Sequence, residues 1–265
     1  MLAIDVNDAI VGCLAKSVNA TPISTYKDLK NFNKDIPVIF RSMAQRKTVS
    51  ECVKTNRDYF YIDTGYYGNL FKRKDWHRVV KNGMQHSNIR YDLPDNRFNF
   101  IINGQEFVRF NKWRKDGDNI LIVTPSDKPC NFYGINRDEW LENTITELTK
   151  HTDRKIIIRN KGLRKDRTGD KSIYNQFEED GIFAVVTYNS IAATEAIGYG
   201  IPCFTLAPNA ADPFCLKDLS KIETPLYEDE SKVIKWQHWL GHCQYTPEEM
   251  LNGTAMRLIE EYDLK

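Results

Sequence analysis

The sequence has no excess charge of either sign: 37 Lys and Arg stand against 36 Asp and Glu, a formal net charge of +1 over 265 residues. A global field that would draw in nucleic acid is therefore excluded, and a polynucleotide partner would have to be met by a local basic patch. The six cysteines (Cys13, Cys52, Cys130, Cys203, Cys215, Cys243) form no C-x-x-C pair, which removes the common zinc and dithiol motifs and points to reduced thiols in an intracellular protein. There is no hydrophobic run of spanning length. Met1 to Val11 is too short for a signal peptide or anchor, and Asp5 and Asp8 interrupt it, so the expectation is a protein without a membrane attachment. Neither G-x-G-x-x-G nor G-x-x-x-x-G-K-[ST] occurs, which disfavours a classical dinucleotide site and a P-loop. Repeats and low-complexity linkers are also missing, while 12% aromatic residues argue against disorder.

What is present is an α/β pattern. In the first half, Ile36-Pro37-Val38-Ile39-Phe40 and Tyr59-Phe60-Tyr61-Ile62 predict buried strands, Thr48 to Lys54 a helix between them, and Trp76 to Gln85 a short helix. The polar stretch Lys112 to Asp118 is the best boundary, dividing the chain into residues 1–115 and 116–265. Beyond it the alternation becomes regular. Asn119–Val123, Lys155–Ile158, Phe183–Val186 and Cys203–Leu206 predict strands, and Asp138–Lys150 a helix with Trp140, Leu141, Ile145 and Leu148 on one face. Strands alternating with helices imply a parallel sheet covered on both faces. Ser231 to His242 and Pro247 to Tyr262 close the chain as helices.

In such sheets ligands bind outside the carboxyl ends of the strands. Three of these ends carry polar residues: Thr124 and Ser126, Arg159 and Lys161, and Thr187 to Ser190. Asn189 or Ser190 suits a helix N-cap, and the helix that follows would offer free N–H groups to a phosphate or diphosphate. Glu195 stands about one and a half turns into that helix, placed for a ribose or sugar hydroxyl. Strand–turn–helix–strand also occurs in every α/β domain, and a capping serine needs no ligand, so the pattern alone leaves both readings open.

The stretch T-Y-N-S-I-A-A-T-E-A-I-G-Y-G-I-P (187–202) resembles the S-x-x-x-x-E-A-x-x-x-G-x-P segment in the C-terminal domain of GT-B glycosyltransferases, and I-I-I-R-N-K (156–161) resembles the R-x-K strand end of their capsule-type members. The resemblance covers about residues 119 to 210. It implies two Rossmann-type domains, the N-terminal one reduced, with a parallel sheet in the C-terminal half. It also implies a nucleotide sugar, UDP-linked by expectation, held by Ser190 and Glu195, with Arg159 and Lys161 as anion contacts. Ser126, Thr187 and Asn189 complete the expected donor set from their strand-end positions. The segments 59–69, 76–86 and 239–255 are similar to short glycosyltransferases of tailed phages, some of which decorate hydroxylated or hydroxymethylated pyrimidines in phage DNA. That likeness implies work in the cytoplasm of an infected bacterium.

Transfer of a sugar with inversion needs a base on the acceptor hydroxyl and stabilisation of the leaving diphosphate. Asp63, ending a buried strand before Thr64-Gly65-Tyr66-Tyr67-Gly68, is the candidate base, although an Asp there could simply cap its own turn. His77 is a second catalytic candidate and His86 a third. Residues 71–81 hold five basic residues and one acid with interleaved aromatics. This suits backbone charge and base stacking by Tyr66, Tyr67, Lys72, Arg73, Lys74, Trp76 and Arg78, or else only a wet helix face. No metal is expected: His238 and His242 have i, i+4 spacing but lack the Glu of H-E-x-x-H, and Asp116-Gly117-Asp118 lies before its strand, at the wrong end for a nucleotide. The sequence therefore predicts a metal-independent glycosyltransferase acting on modified DNA. A polysaccharide or lipid-linked glycan acceptor and a non-catalytic phage interaction protein are the alternatives.

Overall fold

The computed structural model describes residues 1–69, 75–160 and 171–265, and it divides into two compact units. The first comprises Met1–Ile89 with Leu240–Lys265, the second Arg90–Trp239.

In the first unit the order is β1 (Leu2–Ile4), α1 (Ala9–Ser17), β2 (Thr21–Ile23), β3 (Val38–Arg41), α2 (Arg46–Thr55), β4 (Tyr59–Thr64) and β5 (His77–Lys81). The second unit holds α3 (Asn96–Ile102), β6 (Asn119–Val123), α4 (Asp127–Tyr133), α5 (Arg137–Leu148), β7 (Lys155–Arg159), α6 (Ile173–Glu179), β8 (Ile182–Thr187), α7 (Ala192–Gly198), β9 (Cys203–Thr205) and β10 (Cys215–Leu216). Helix α8 (Glu230–His242) carries the chain to β11 (Gln244–Tyr245), α9 (Pro247–Leu251) and α10 (Thr254–Glu261), which belong to the first unit.

The first unit is built on a six-stranded sheet in the order β11-β5-β4-β3-β1-β2. Strands β2, β1, β3 and β4 are parallel; β5 pairs antiparallel to β4, and β11 pairs antiparallel to β5. Alternation along the strands sends side chains to two cores. Ala3, Ile39, Phe60, Ile62 and Val79 meet the apolar face of α1 together with Met250, Ala255 and Ile259. Leu2, Ile4, Val38, Phe40, Tyr59, Tyr61 and Val80 meet Leu29 and Cys52 on the other side. Each buried Leu, Ile or Phe contributes about 1.5–3 kcal/mol, so the C-terminal helices are an integral layer of this unit.

Helix α1 begins because Asp8 caps it, accepting hydrogen bonds from the Ile10 and Val11 N–H groups. Gly12 lets the preceding loop fold back on the helix: a Cβ there would stand 2.8 Å from the Val6 carbonyl oxygen.

In the second unit all strand pairs are parallel, in the order β10-β9-β8-β6-β7. Ile120, Ile122, Phe183, Ala184, Val186 and Phe204 pack against Leu148 and its neighbours on α5. The chain has the expected α/β architecture, with two Rossmann-like units and a purely parallel sheet in the second.

Several sequence expectations change. The division at 115/116 does not hold. Arg90 to Arg114 join the second unit, where the Arg114 N–H donates to the Gly200 carbonyl, and the C-terminal segment joins the first because β11 pairs with β5. Residues 77–81 form a strand, since Val79 and Val80 favour the pleat and the segment finds a partner in β4. The closing helix is two helices, broken at Asn252-Gly253, where Gly253 has φ 85°.

Candidate functional site

In the second unit, polar residues gather at the carboxyl ends of β6 and β8. Thr187 ends β8 and is fully buried; its hydroxyl donates to the Val123 carbonyl (3.0 Å) and accepts from the Ser190 N–H, tying the turn to β6. The Ser190 Oγ accepts from the Ala192 N–H at 3.3 Å, so it serves the first turn of α7 as a cap. Thr124, at the end of β6, donates to the Asn160 side chain (3.1 Å). Ser126 is half-buried and stands at the N-cap of α4 without bonding the helix N–H groups. Glu195 is half-buried on α7, between residues that are themselves buried.

Two residues not singled out by sequence brace this turn. Asn209 donates to the Ser190 carbonyl (2.9 Å) and accepts from the Ala211 N–H, while Asp212 accepts from the Thr205 hydroxyl (2.7 Å) and from the Asn209 N–H. A signal existed in the polar N-A-A-D that follows the β9 strand, Asn209 to Asp212. Aromatic rings surround the same edge: Tyr188 lies edge-on to Tyr133 (5.4 Å between centroids) and to Trp140 (6.1 Å). Burial raises the Tyr133 phenol above its usual range, and a hydrogen bond with the Asn189 side chain works the other way.

The structure brings Thr187, Asn189 and Ser190 together at one edge, with Glu195 one helix turn on. Arg159 differs from its expected role: its guanidinium donates to Gln176 Oε1 (2.7 Å) and to the Lys171 carbonyl (2.8 Å), holding the segment that leads into α6. Lys161 lies outside the described residues. An open depression of about 570 Å³, lined by Asn119, His151, Arg154, Lys155 and Glu223 among others, lies at the opposite, amino ends of β6 and β7.

In the first unit, Asp63 is at the carboxyl end of β4, with a side chain about one-third exposed. It is firmly held. Tyr61 donates to Oδ2 (2.5 Å), the Thr64 N–H donates to Oδ1 (2.8 Å), and Arg78 approaches Oδ2 at 3.4 Å. Arg78 itself is buried. It donates to the Thr64 and Met84 carbonyls and stacks over the rings of Tyr61 and Tyr66. Burial opposes the Arg78 charge, but Asp63, Tyr66 and Tyr61 together outweigh it and raise its pKa.

Behind Arg78 lies a closed network. The His86 Nε2 faces the Val79 carbonyl (3.1 Å), which can only accept, so Nε2 carries the proton and Nδ1 accepts from the Tyr66 hydroxyl (3.0 Å). Burial and the nearby Arg78 cation push the His86 pKa down to about 3, keeping the ring neutral. Gln244 of β11 clamps the turn, accepting from the Tyr66 and Tyr67 N–H groups and donating to the Tyr67 carbonyl. Gly65 leaves room for this clamp, since a Cβ there would meet Gln244 Oε1 at 3.0 Å.

This arrangement corrects the expected acceptor set. Tyr66, Tyr67, Trp76 and Arg78 are all buried, because the turn folds inward onto Gln244 and Asn69 bonds both the N–H and the carbonyl of Trp76. None offers a ring or a cation to a base in this conformation. His77 is fully buried on β5, paired with Thr64 on one side and Tyr245 on the other, so its ring is not presented to an acceptor either. Lys72, Arg73 and Lys74 lie outside the described residues.

Among the described residues no three His, Cys, Asp or Glu side chains are grouped to hold a metal, and no helix is long and apolar enough to cross a membrane. His238 packs beside Phe98 and His242 beside Tyr262, each as a ring in an apolar contact.

No protein-family model matches the sequence, and no curated protein matches it. Solved structures do. The Thermosulfurimonas dismutans KpsC, beta Kdo 2,7 transferase, superposes with a TM-score of 0.50 at 11% identity, covering 98% of this chain and 99% of that one. The fold is GT-B-like. The KpsC beta Kdo 2,4 transferase from the same organism matches at TM-score 0.47 and 9% identity, over 89% of each chain. The likeness to the 2,7 transferase extends over nearly the whole chain and is a likeness of fold.

Proposed function

We propose that this chain is a metal-independent glycosyltransferase that takes its sugar from a nucleotide-sugar donor. The observation that carries the reading is the carboxyl edge of β6 and β8. There Thr124, Ser126, Thr187, Asn189 and Ser190 converge in an all-parallel sheet, with Glu195 half-buried on the next helix. Open α/β sheets bind ligands at such edges. The likeness to a transferase fold over almost the full chain points the same way. In this reading Glu195 and Asn189 bind sugar or ribose hydroxyls and the half-buried rings of Tyr133 and Tyr188 flank the base.

Asp63 is the proposed base. Its carboxylate, oriented by Tyr61 and the Thr64 N–H, takes the acceptor hydroxyl proton. The acceptor oxygen then bonds to the anomeric carbon as the bond to the nucleotide phosphate breaks. We favour a glycan acceptor over DNA, because the aromatic and basic residues that suggested DNA and can be described are core residues. The structure that matches over 98% of the chain is named as a Kdo transferase, which fits a glycan context.

The test is transfer of label from a panel of UDP-, GDP- and CMP-linked sugars, with chelator present. The acceptors are a polysaccharide, a lipid-linked glycan, DNA carrying hydroxymethylated pyrimidine, and plain DNA. Label in a glycan is the expected result. Label in modified DNA alone would overturn the acceptor, and the absence of both transfer and nucleotide binding would overturn the function.

A further inference from the structure

The strand order of the first unit contains a reversal. Chain connections run from β1 to β2 on one side and from β3 to β4 on the other, so β1 and β3 are neighbours from which the chain departs in opposite directions. The two cores bear this out: α1, which follows β1, packs on one face, and Cys52 of α2, which follows β3, packs on the other. A crevice opens at such a switch point, at the strand carboxyl ends. None of the residues considered above as donor or base lies there.

Arg41 and Asp8 lie across it. Arg41 ends β3, and its Nη1 donates to both oxygens of Asp8 (3.1 and 2.8 Å), the residue that caps α1 beyond the end of β1. Both Nη1 contacts go to this one carboxylate, whereas Nε and Nη2, which carry three N–H groups, have no hydrogen-bond partner among the described residues. The Arg41 side chain is only 17% exposed, so this is not a solvated surface arginine. Asp8 keeps its charge: burial opposes it, but the Val11 N–H, Arg41 and the Ile10 N–H hold its carboxyl below the usual range.

The chain on each side of the crevice is fixed in a conformation that ordinary residues avoid. Asp5 (φ 62°) follows β1 and Ser42 (φ 77°) follows β3, both non-glycine residues in the left-handed half of the map. Ser42 is pinned there, its N–H donating to the Ile62 carbonyl and its hydroxyl accepting from the Ala44 N–H.

We infer that the crevice between the ends of β1 and β3 is an oxyanion site, in which the Nε–Nη2 edge of Arg41 takes a carboxylate or phosphate carried on a sugar. A guanidinium edge offers two parallel N–H groups at the spacing of two oxygens on one carbon or phosphorus. Asp8 sets its plane and offsets its charge, so a second anion meets an oriented fork. The inference rests on the proposed function only for the sugar; the oxyanion chemistry stands on Arg41.

The experiment follows the arginine Nε–H resonances of the full chain by NMR, assigned through Arg41→Lys, during titration with glucuronate, glucose 1-phosphate, inorganic phosphate and neutral glucose. Saturable shift of the Arg41 Nε–H by glucuronate or glucose 1-phosphate, and none by glucose, is the expected result; the tighter of the two names the anion. Arg41→Lys keeps a cation beside Asp8 but loses the fork, and binding measured by calorimetry should weaken roughly tenfold. Inorganic phosphate binding as tightly as the sugar anions would overturn the sugar assignment. No shift with any anion, or equal affinity in a folded Arg41→Lys, would overturn the site. A nucleoside diphosphate titration of the same sample reports on the second unit, so failure here and failure of the proposed transferase are read separately.

Discussion

His86 gives the chain a measurable acid sensitivity. In the folded protein its pKa is pushed down to about 3 by burial and by Arg78, against 6.5 for an ordinary histidine. The unfolded chain therefore binds a proton that the native state refuses, and stability falls as the pH drops below about 6.5 and goes on falling toward about 3. At pH 5 the unfolded histidine is protonated by roughly thirty to one while native His86 is neutral, so the loss is about RT ln 30, or about 2 kcal/mol. That figure depends on the unfolded value alone as long as the native value lies below about 4. The perturbation is His86→Gln, which removes the titrating ring and keeps an amide able to meet Tyr66 or the Val79 carbonyl. Urea unfolding at pH 7 and pH 5 measures both proteins. The wild type should lose about 2 kcal/mol more than the variant over this interval, whatever the variant costs at pH 7. Equal losses would show that native His86 accepts a proton and that the Tyr66–His86–Val79 network is not the one described.

Other outcomes follow from single contacts. Arg57 is buried and donates to the carbonyls of Leu29, Phe32, Asn33 and Ile36, so Arg57→Ala should cost about 3–5 kcal/mol in urea unfolding; under about 1 kcal/mol would refute the anchor. Gly104 (φ 82°) and Gly200 (φ 85°) share a conformation but not a setting. A Cβ at Gly104 meets nothing, whereas one at Gly200 would come within 2.2 Å of the Lys112 carbonyl oxygen. Gly104→Ala should therefore cost about 1–2 kcal/mol and Gly200→Ala clearly more, and equal melting temperatures would contradict this. Asp63→Asn should abolish sugar transfer at unchanged nucleotide affinity, and retained turnover would remove Asp63 as the base.

Most of the second unit was legible in the sequence because its signals are local. Runs such as Asn119–Val123 and Ile182–Thr187 are strands buried on both faces, and those predicted at 119–123 and 183–186 coincide with β6 and β8. The first unit was less legible because its sheet is completed from a distance. Two residues of β11, Gln244 and Tyr245, pair with β5 across some 165 positions of sequence, and no local pattern announces such a pair. The same contact decides the fate of the Tyr66-Tyr67 turn: aromatic residues beside a basic run read as a binding surface until Gln244 is seen holding them inside. Position at a strand end was readable for Asp63, but not its setting between Tyr61 and Arg78, which depends on β5 being a strand. Arg159 was placed correctly at the end of β7, yet its guanidinium goes to Gln176, a partner 17 residues on.

The central claim is that the second unit holds the nucleotide of the donor at the edge formed by Thr187, Asn189, Ser190 and Glu195. Calorimetric titration of nucleoside diphosphates into the wild type, Glu195→Ala and Asp63→Asn tests it directly. One nucleotide should bind the wild type and Asp63→Asn alike and bind Glu195→Ala at least roughly tenfold more weakly, the loss of one or two hydrogen bonds to the ligand. Equal binding by a folded Glu195→Ala, or no binding of any nucleotide to the wild type, would contradict the account.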